Sequence, residues 1–166
     1  ESAYQAIAQR QVELALTTLD SSNNENLPEG IVSEILWQDK MIFVCSKEHP
    51  LNKVKHVQLS DLSEYPSILP ENNTFTFKLL QEKFRQQNLS LSNPMPTNYL
   101  ETIKMLVSVG LGWSLLPESM LDTPEEMGLT TLNVQQTSLT RPLGFLYLKD
   151  RTLSNAAKAF IAMIKT

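Results

Sequence analysis

T-N-Y-L-E-T-I-K-M-L-V-S-V-G-L-G-W-S-L-L-P-E-S, residues 97–119, is the stretch on which the fold reading turns. Leu100, Ile103, Leu106, Val107 and Gly110 recur at helical spacing, so one face of a helix is apolar. Asn98 stands where an N-cap belongs, and Glu101 stands three residues on, where a capping-box carboxylate would sit. Gly110 falls at the left-handed position that closes a helix. Residues 113–116 then read as a short buried strand, and Pro117 opens the next turn. Thr97 and Asn98 are open to two readings: they cap the helix, or they also hold a ligand.

Outward from this block, strands alternate with helices. Residues 2–11 read as the end of a helix, with Ala3, Ala6 and Ile7 on one face, and residues 12–16 as a strand that stops at Thr17-Thr18. Residues 20–30 are rich in Ser, Asn, Glu, Pro and Gly and read as a surface loop. Strands are expected at 31–37 and 41–46, with polar Gln38-Asp39-Lys40 as a hinge or bend between them. His49-Pro50 marks a turn, because the residue before proline is pushed out of helix. Residues 59–62 form a helical turn started by a Ser or Asp, and 66–70 a short strand between prolines. Asn73 or Thr74 caps a helix over 75–88. After the opening block come strands at 129–134 and 143–148. Ser154 caps a last helix whose Ala157, Phe160, Ile161 and Ile164 form an apolar stripe. This order predicts an α/β fold with a mostly parallel sheet.

Composition narrows the function classes. The chain has 166 residues and a net charge of −4, a poor match to a surface that grips phosphate backbones by itself. No apolar run nears the roughly 18 residues of a membrane span, and no basic-then-apolar leader opens the chain. The single cysteine, Cys45, follows the apolar residues 41–44 and reads as a buried structural thiol, a weak pointer to a reducing cytoplasm. Phosphate-loop, dinucleotide and serine-elbow motifs are missing. Gly110-Leu111-Gly112 follows a helix, the wrong context for a dinucleotide fingerprint. His49 and His56 have no ligand-spaced partners, so neither a metal nor another cofactor is expected, and His49 reads as a solvated turn residue. The acidic residues at Glu25 and at Glu125-Glu126 read as solvated surface, so the expectation is a protein that is not an enzyme. Small hydroxyls and amides at strand-to-helix junctions are better binding candidates: Thr17-Thr18, residues 72–76, and Thr97-Asn98. Ordinary turns and caps would look the same.

V-E-L-A-L-T-T, I-L-W-Q-D-K-M-I-F-V-C-S-K-E-H-P-L, L-S-D-L, the opening block, and R-P-L-G-F-L-Y-L-K-D-R with the helix after it run in order through nearly the whole chain. This ordered set resembles the effector-binding domain of LysR-type transcriptional regulators. The resemblance implies an α/β fold of two Rossmann-like subdomains joined by two crossing strands, like type 2 periplasmic binding proteins. A small effector, often an anion, would sit in the cleft between them. Carried over by motif, subdomain I is 1–38 with 145–166, and subdomain II is 39–144. The effector positions fall on Thr18, on Asn73, Thr74 and Thr76, and on Thr97 and Asn98, with Phe145 at the floor near the hinge. The resemblance also implies a cytoplasmic homodimer or homotetramer without membrane contact, with helix 75–88 a candidate for the subunit interface. DNA would be touched only through a winged helix-turn-helix ahead of residue 1. A linker helix and the first strand-helix unit of subdomain I would also precede this chain, and a subdomain without that unit would leave apolar sheet surface unpaired. A periplasmic solute-binding protein is the alternative on the same fold. An enzyme on that fold would need catalytic acids, bases or a cofactor that the motifs do not supply.

Overall fold

In the computed structural model, residues 3–19, 27, 29–121, 123–124, 127–135 and 137–165 are described. Glu25, Asn26 and the Glu125-Glu126 pair lie outside them. In chain order the elements are α1 (Ala3–Ala8), β1 (Leu14–Thr18), β2 (Ile31–Ser46), a 3-10 turn (Pro50–Lys53), α2 (Leu59–Ser63), α3 (Phe75–Gln86) and α4 (Leu100–Ser108). There follow β3 (Ser114–Pro117), a second 3-10 turn (Glu118–Met120), β4 (Leu129–Thr131), β5 (Leu139–Leu148) and α5 (Asn155–Ile164).

Two strands expected at 31–37 and 41–46 are one. The polar Gln38-Asp39-Lys40 does not break β2, because side chains alternate across a strand: Gln38 and Lys40 are exposed, while Asp39 points inward to Arg141. The first strand also runs later than expected, so Thr17 and Thr18 belong to β1. Contacts divide the chain into two units, Glu1–Asp39 with Arg141–Thr166, and Lys40–Thr140. The chain passes between them inside β2 and inside β5.

In the first unit β5 lies between β1 and β2. β1 and β5 are antiparallel, in register from Leu14↔Tyr147 to Thr18↔Leu143. Strand alternation sends Ala15, Leu146 and Leu148 to one face, where they pack with Ile7, Leu19 and Ile31. Phe145 faces the other way, its ring 6.1 Å from that of Phe160 on α5. Ser154 starts α5 as expected: its hydroxyl accepts the Ala157 N–H at 3.1 Å and itself donates to the Glu13 carboxylate. Glu13 also accepts the Ser154 N–H at 3.0 Å, and these bonds hold its carboxyl below the usual range. The apolar stripe of α5 is covered fully only at Ala157, and Phe160 keeps 40% of its surface. Among the described residues β1 pairs with β5 alone, and Leu16, Ile35 and Trp37 are 46%, 49% and 41% exposed.

In the second unit β2 pairs antiparallel with β3, from Met41↔Pro117 to Val44↔Ser114, and with β4, from Val44↔Thr131 to Ser46↔Leu129. The expectation of a mostly parallel sheet is therefore corrected. Parallel pairing is seen at two isolated bridges, Ser67↔Trp113 and Val57↔Val134. Pro66 and Pro70 bracket the first of these, and a proline has no N–H to extend a ladder. One side of the sheet packs Phe43, Cys45, Trp113 and Leu115 against Phe77, Leu80 and Phe84 of α3. The other packs Val44 and Leu116 against Ile103 and Val107 of α4. Trp113 stacks on Phe84 at 6.0 Å, and its Nε1–H donates to the carbonyls of Leu62 at 2.9 Å and Tyr65 at 3.2 Å. Cys45 is fully buried, and loss of solvent pushes its thiol up to about 11.

His49 is not the solvated residue expected from its place before Pro50. Its ring is buried edge-on to Tyr65, and Nδ1 accepts the Leu51 N–H at 3.2 Å. Burial lowers its pKa from 6.5. The glycines of G-L-G have separate reasons. Gly110 has φ +86°, the left-handed turn that ends α4, whereas a Cβ on Gly112 would sit 2.2 Å from the Pro66 carbonyl oxygen.

Two outcomes follow from this packing. Gly112→Ala forces residue 112 away from Pro66 and lowers unfolding free energy by about 1–3 kcal/mol in urea titration. For His49 the folded-state pKa is depressed, so its contribution is complete above 6.5 and is lost as pH falls through the folded value. His49→Asn keeps an acceptor for Leu51 without the titration. Denaturant curves between about pH 8 and pH 5 should then show wild type losing more stability than the variant over that range.

Candidate functional site

The second unit gathers residues 69–76 and 93–99 into one hydrogen-bonded corner. Asn93 starts it: Oδ1 accepts the Leu69 N–H at 3.0 Å, and Nδ2 donates to the carbonyls of Leu69 and Pro70 at 3.3 and 3.2 Å. The Thr97 N–H donates to the Leu69 carbonyl at 3.2 Å. The peptide groups of Glu71 are then held from both sides. Its N–H donates to Asn98 Oδ1 at 3.0 Å, and its carbonyl receives the Thr74 hydroxyl at 2.7 Å. Thr74 also accepts the Phe77 N–H at 3.4 Å, which makes it the N-cap of α3 that the sequence predicts.

Thr74, Thr97 and Asn98 are thus brought together. Asn73 lies exposed in the same loop, while Thr76 is turned into the interior with 9% of its surface left. Thr18 and Phe145 belong to the first unit. Thr18 ends β1 opposite Leu143, partly buried. Phe145 is fully buried against Phe160.

One expected role changes. Asn98 does not cap α4: the N-cap is Tyr99, whose side chain makes no capping bond, and the Asn98 amide is taken by Glu71, 27 positions earlier. Glu101 consequently has no capping-box partner and accepts from Lys104 Nζ at 3.2 Å. A distant partner won over a local cap, which spacing alone does not reveal. Asn93 was missed as well. The signal for it was Asn-Pro at 93–94, a turn dipeptide. The other missed feature is Asp39 with Arg141, whose Nε and Nη2 both donate to Oδ2 at 2.9 and 2.8 Å.

The corner offers hydroxyls, amides and the first turns of α3 and α4, where helix geometry leaves N–H groups without intrahelical acceptors. Such a set has the chemistry to bind small polar or anionic groups. Among the described residues no three His, Cys, Asp or Glu side chains come together to hold a metal. A separate groove of about 540 Å3 runs along Lys40, Ile42, Asn133, Thr137 and Ser138 in the second unit, and none of the sequence-chosen residues lines it.

Comparison with known proteins bears on what such a corner serves. A family model for the LysR substrate binding domain matches residues 1–166. The HTH-type transcriptional activator CmpR of Synechocystis is 30% identical over 125 residues, 75% of this chain and 41% of that protein. The transcriptional dual regulator GltC of Bacillus subtilis is 26% identical over 160 residues, 96% of this chain and 52% of that protein. The chain therefore spans about half, or less, of the length of these relatives. Among solved structures, the CcmR regulatory domain of Synechocystis in complex with 2-PG superposes with a TM-score of 0.80 at 16% identity, over 97% of this chain and 76% of that one. The QuiR effector binding domain in complex with shikimate gives 0.80 at 19% identity, over 99% and 77%. These likenesses show the fold, that of type 2 periplasmic-binding-protein-like domains.

Asn93→Ala strips three hydrogen bonds from Leu69 and Pro70 at once. Stability should fall by about 1–3 kcal/mol, and hydrogen exchange of the 69–76 amides should quicken more than that of β3.

Proposed function

This chain belongs to the LysR substrate-binding domain family, and we propose that it is the effector-sensing part of a bacterial transcription regulator. The observation that carries the reading is the family match along all of residues 1–166, joined to a corner built for hydrogen bonding rather than for bond breaking. In this reading the two units are regulatory subdomains, expected from sequence at 1–38 with 145–166 and at 39–144. The effector is a small polar metabolite, often an anion. The CcmR and QuiR domains hold small ligands, 2-PG and shikimate. In the second unit Asn73, Thr74, Thr97 and Asn98 are the expected positions open to meet it, and the remaining expected positions are Thr76, Thr18 and Phe145.

The effector acts by preferring one conformation, and the shift in population is passed to a DNA-binding part of the full protein. DNA contact elsewhere agrees with the net charge of −4. The working form is a cytoplasmic homodimer or homotetramer, and no helix among the described residues is long and apolar enough to cross a membrane. A periplasmic solute-binding role uses the same fold, but the relatives named above are transcription regulators. Catalysis has no support from the corner's chemistry.

Calorimetric titration with candidate carboxylates and phosphate esters tests the proposal. Thr18→Ala and Asn98→Ala should each weaken the binding found with wild type by about tenfold or more, the loss of one hydrogen bond to a charged group. If both variants bind as wild type does, the site assignment is wrong.

A further inference from the structure

We propose that Asp39 and Arg141 form a clamp that makes the two chain crossings flex as one. The residues stand 102 positions apart in sequence, yet they are the last and first residues of the first unit at the two places where the chain leaves and re-enters it. Two guanidinium N–H groups converge on a single carboxylate oxygen at 2.9 and 2.8 Å, which fixes the plane of the guanidinium as well as its distance. The side chains keep only 8% and 20% of their surface. Water has little access to replace either partner, so parting them strands a charge in a poor solvent. A movement that displaces β2 at residue 39 must therefore carry β5 at residue 141 with it. The next residue provides an internal contrast. Lys40 pairs with Glu118 at 3.0 Å, but those side chains are 58% and 57% exposed, and such a pair parts at little cost.

The inference rests on this geometry and not on the proposed effector. Hydrogen exchange of the whole chain tests it, read amide by amide. Asp39→Asn keeps the shape and removes the charge. Exchange should rise about tenfold or more at 38–42 and at 139–143 together, with the β3 amides within about twofold of wild type. Glu118→Gln should leave all these segments within about twofold. The clamp is refuted by a rise at 38–42 alone, by no rise at either crossing, or by an equal rise throughout the chain. Should Asp39→Asn fail to fold, Arg141→Lys serves instead, since it keeps charge and stem but not the two-pronged grip. A smaller rise at both crossings supports the clamp, and a rise confined to 139–143 refutes it.

Discussion

Trp113 must be buried with its one polar atom satisfied, and the second unit is arranged around that demand. Its indole N–H goes to carbonyls at the end of α2 and just beyond it, and its ring lies against Phe84 of α3 and near Phe43 of β2. A close backbone approach is part of the arrangement. The Trp113 N–H donates to the Pro66 carbonyl and the Ile68 N–H donates to the Trp113 carbonyl, with Gly112 small enough to let the chains meet. That contact sets where residues 66–69 run. Leu69 is then in place for Asn93 and Thr97, and Glu71 for Asn98 and Thr74. A buried aromatic ring and a polar surface corner are two ends of one chain of contacts.

The first unit has a thinner construction. Its core draws on α1, β1, β2 and β5, and α5 is anchored by the Glu13–Ser154 bonds as well as by packing. Sheet and helix surface there stays apolar and open at Leu16, Ile35, Trp37 and Phe160. The two units thus differ in how far their apolar surfaces are enclosed by the described elements.

The sequence made the regular elements legible where periodicity and caps agree. Thr74 and Ser154 cap as their positions predict, Gly110 turns as a helix-closing glycine should, and Cys45 is buried. The family resemblance was legible in the order of the motifs, each weak alone. Misreadings have one physical source: partners far away in the chain. Asp39 looks like a break in a strand until Arg141 supplies its counter-charge, and Asn98 looks like a cap until Glu71 claims it. The expected parallel sheet came from the alternation of strand and helix, yet β2 pairs antiparallel with both β3 and β4, a register that local pattern does not encode. For the candidate site the sequence located the corner through its hydroxyls and amides. It did not reveal Asn93, which makes three of the bonds that join the corner's two segments.

The stretch that Asn93 secures contains Pro94 and Pro96, each with its φ already set. Between the amide of Asn93 and the backbone bond of Thr97, little conformational freedom is left there before any molecule arrives. A guest that touches Thr97 or Asn98 would not have to organise its host at that wall. The entropy of ordering is spent during folding, so a guest there would be selected by fit and hydrogen bonding instead of by induced order.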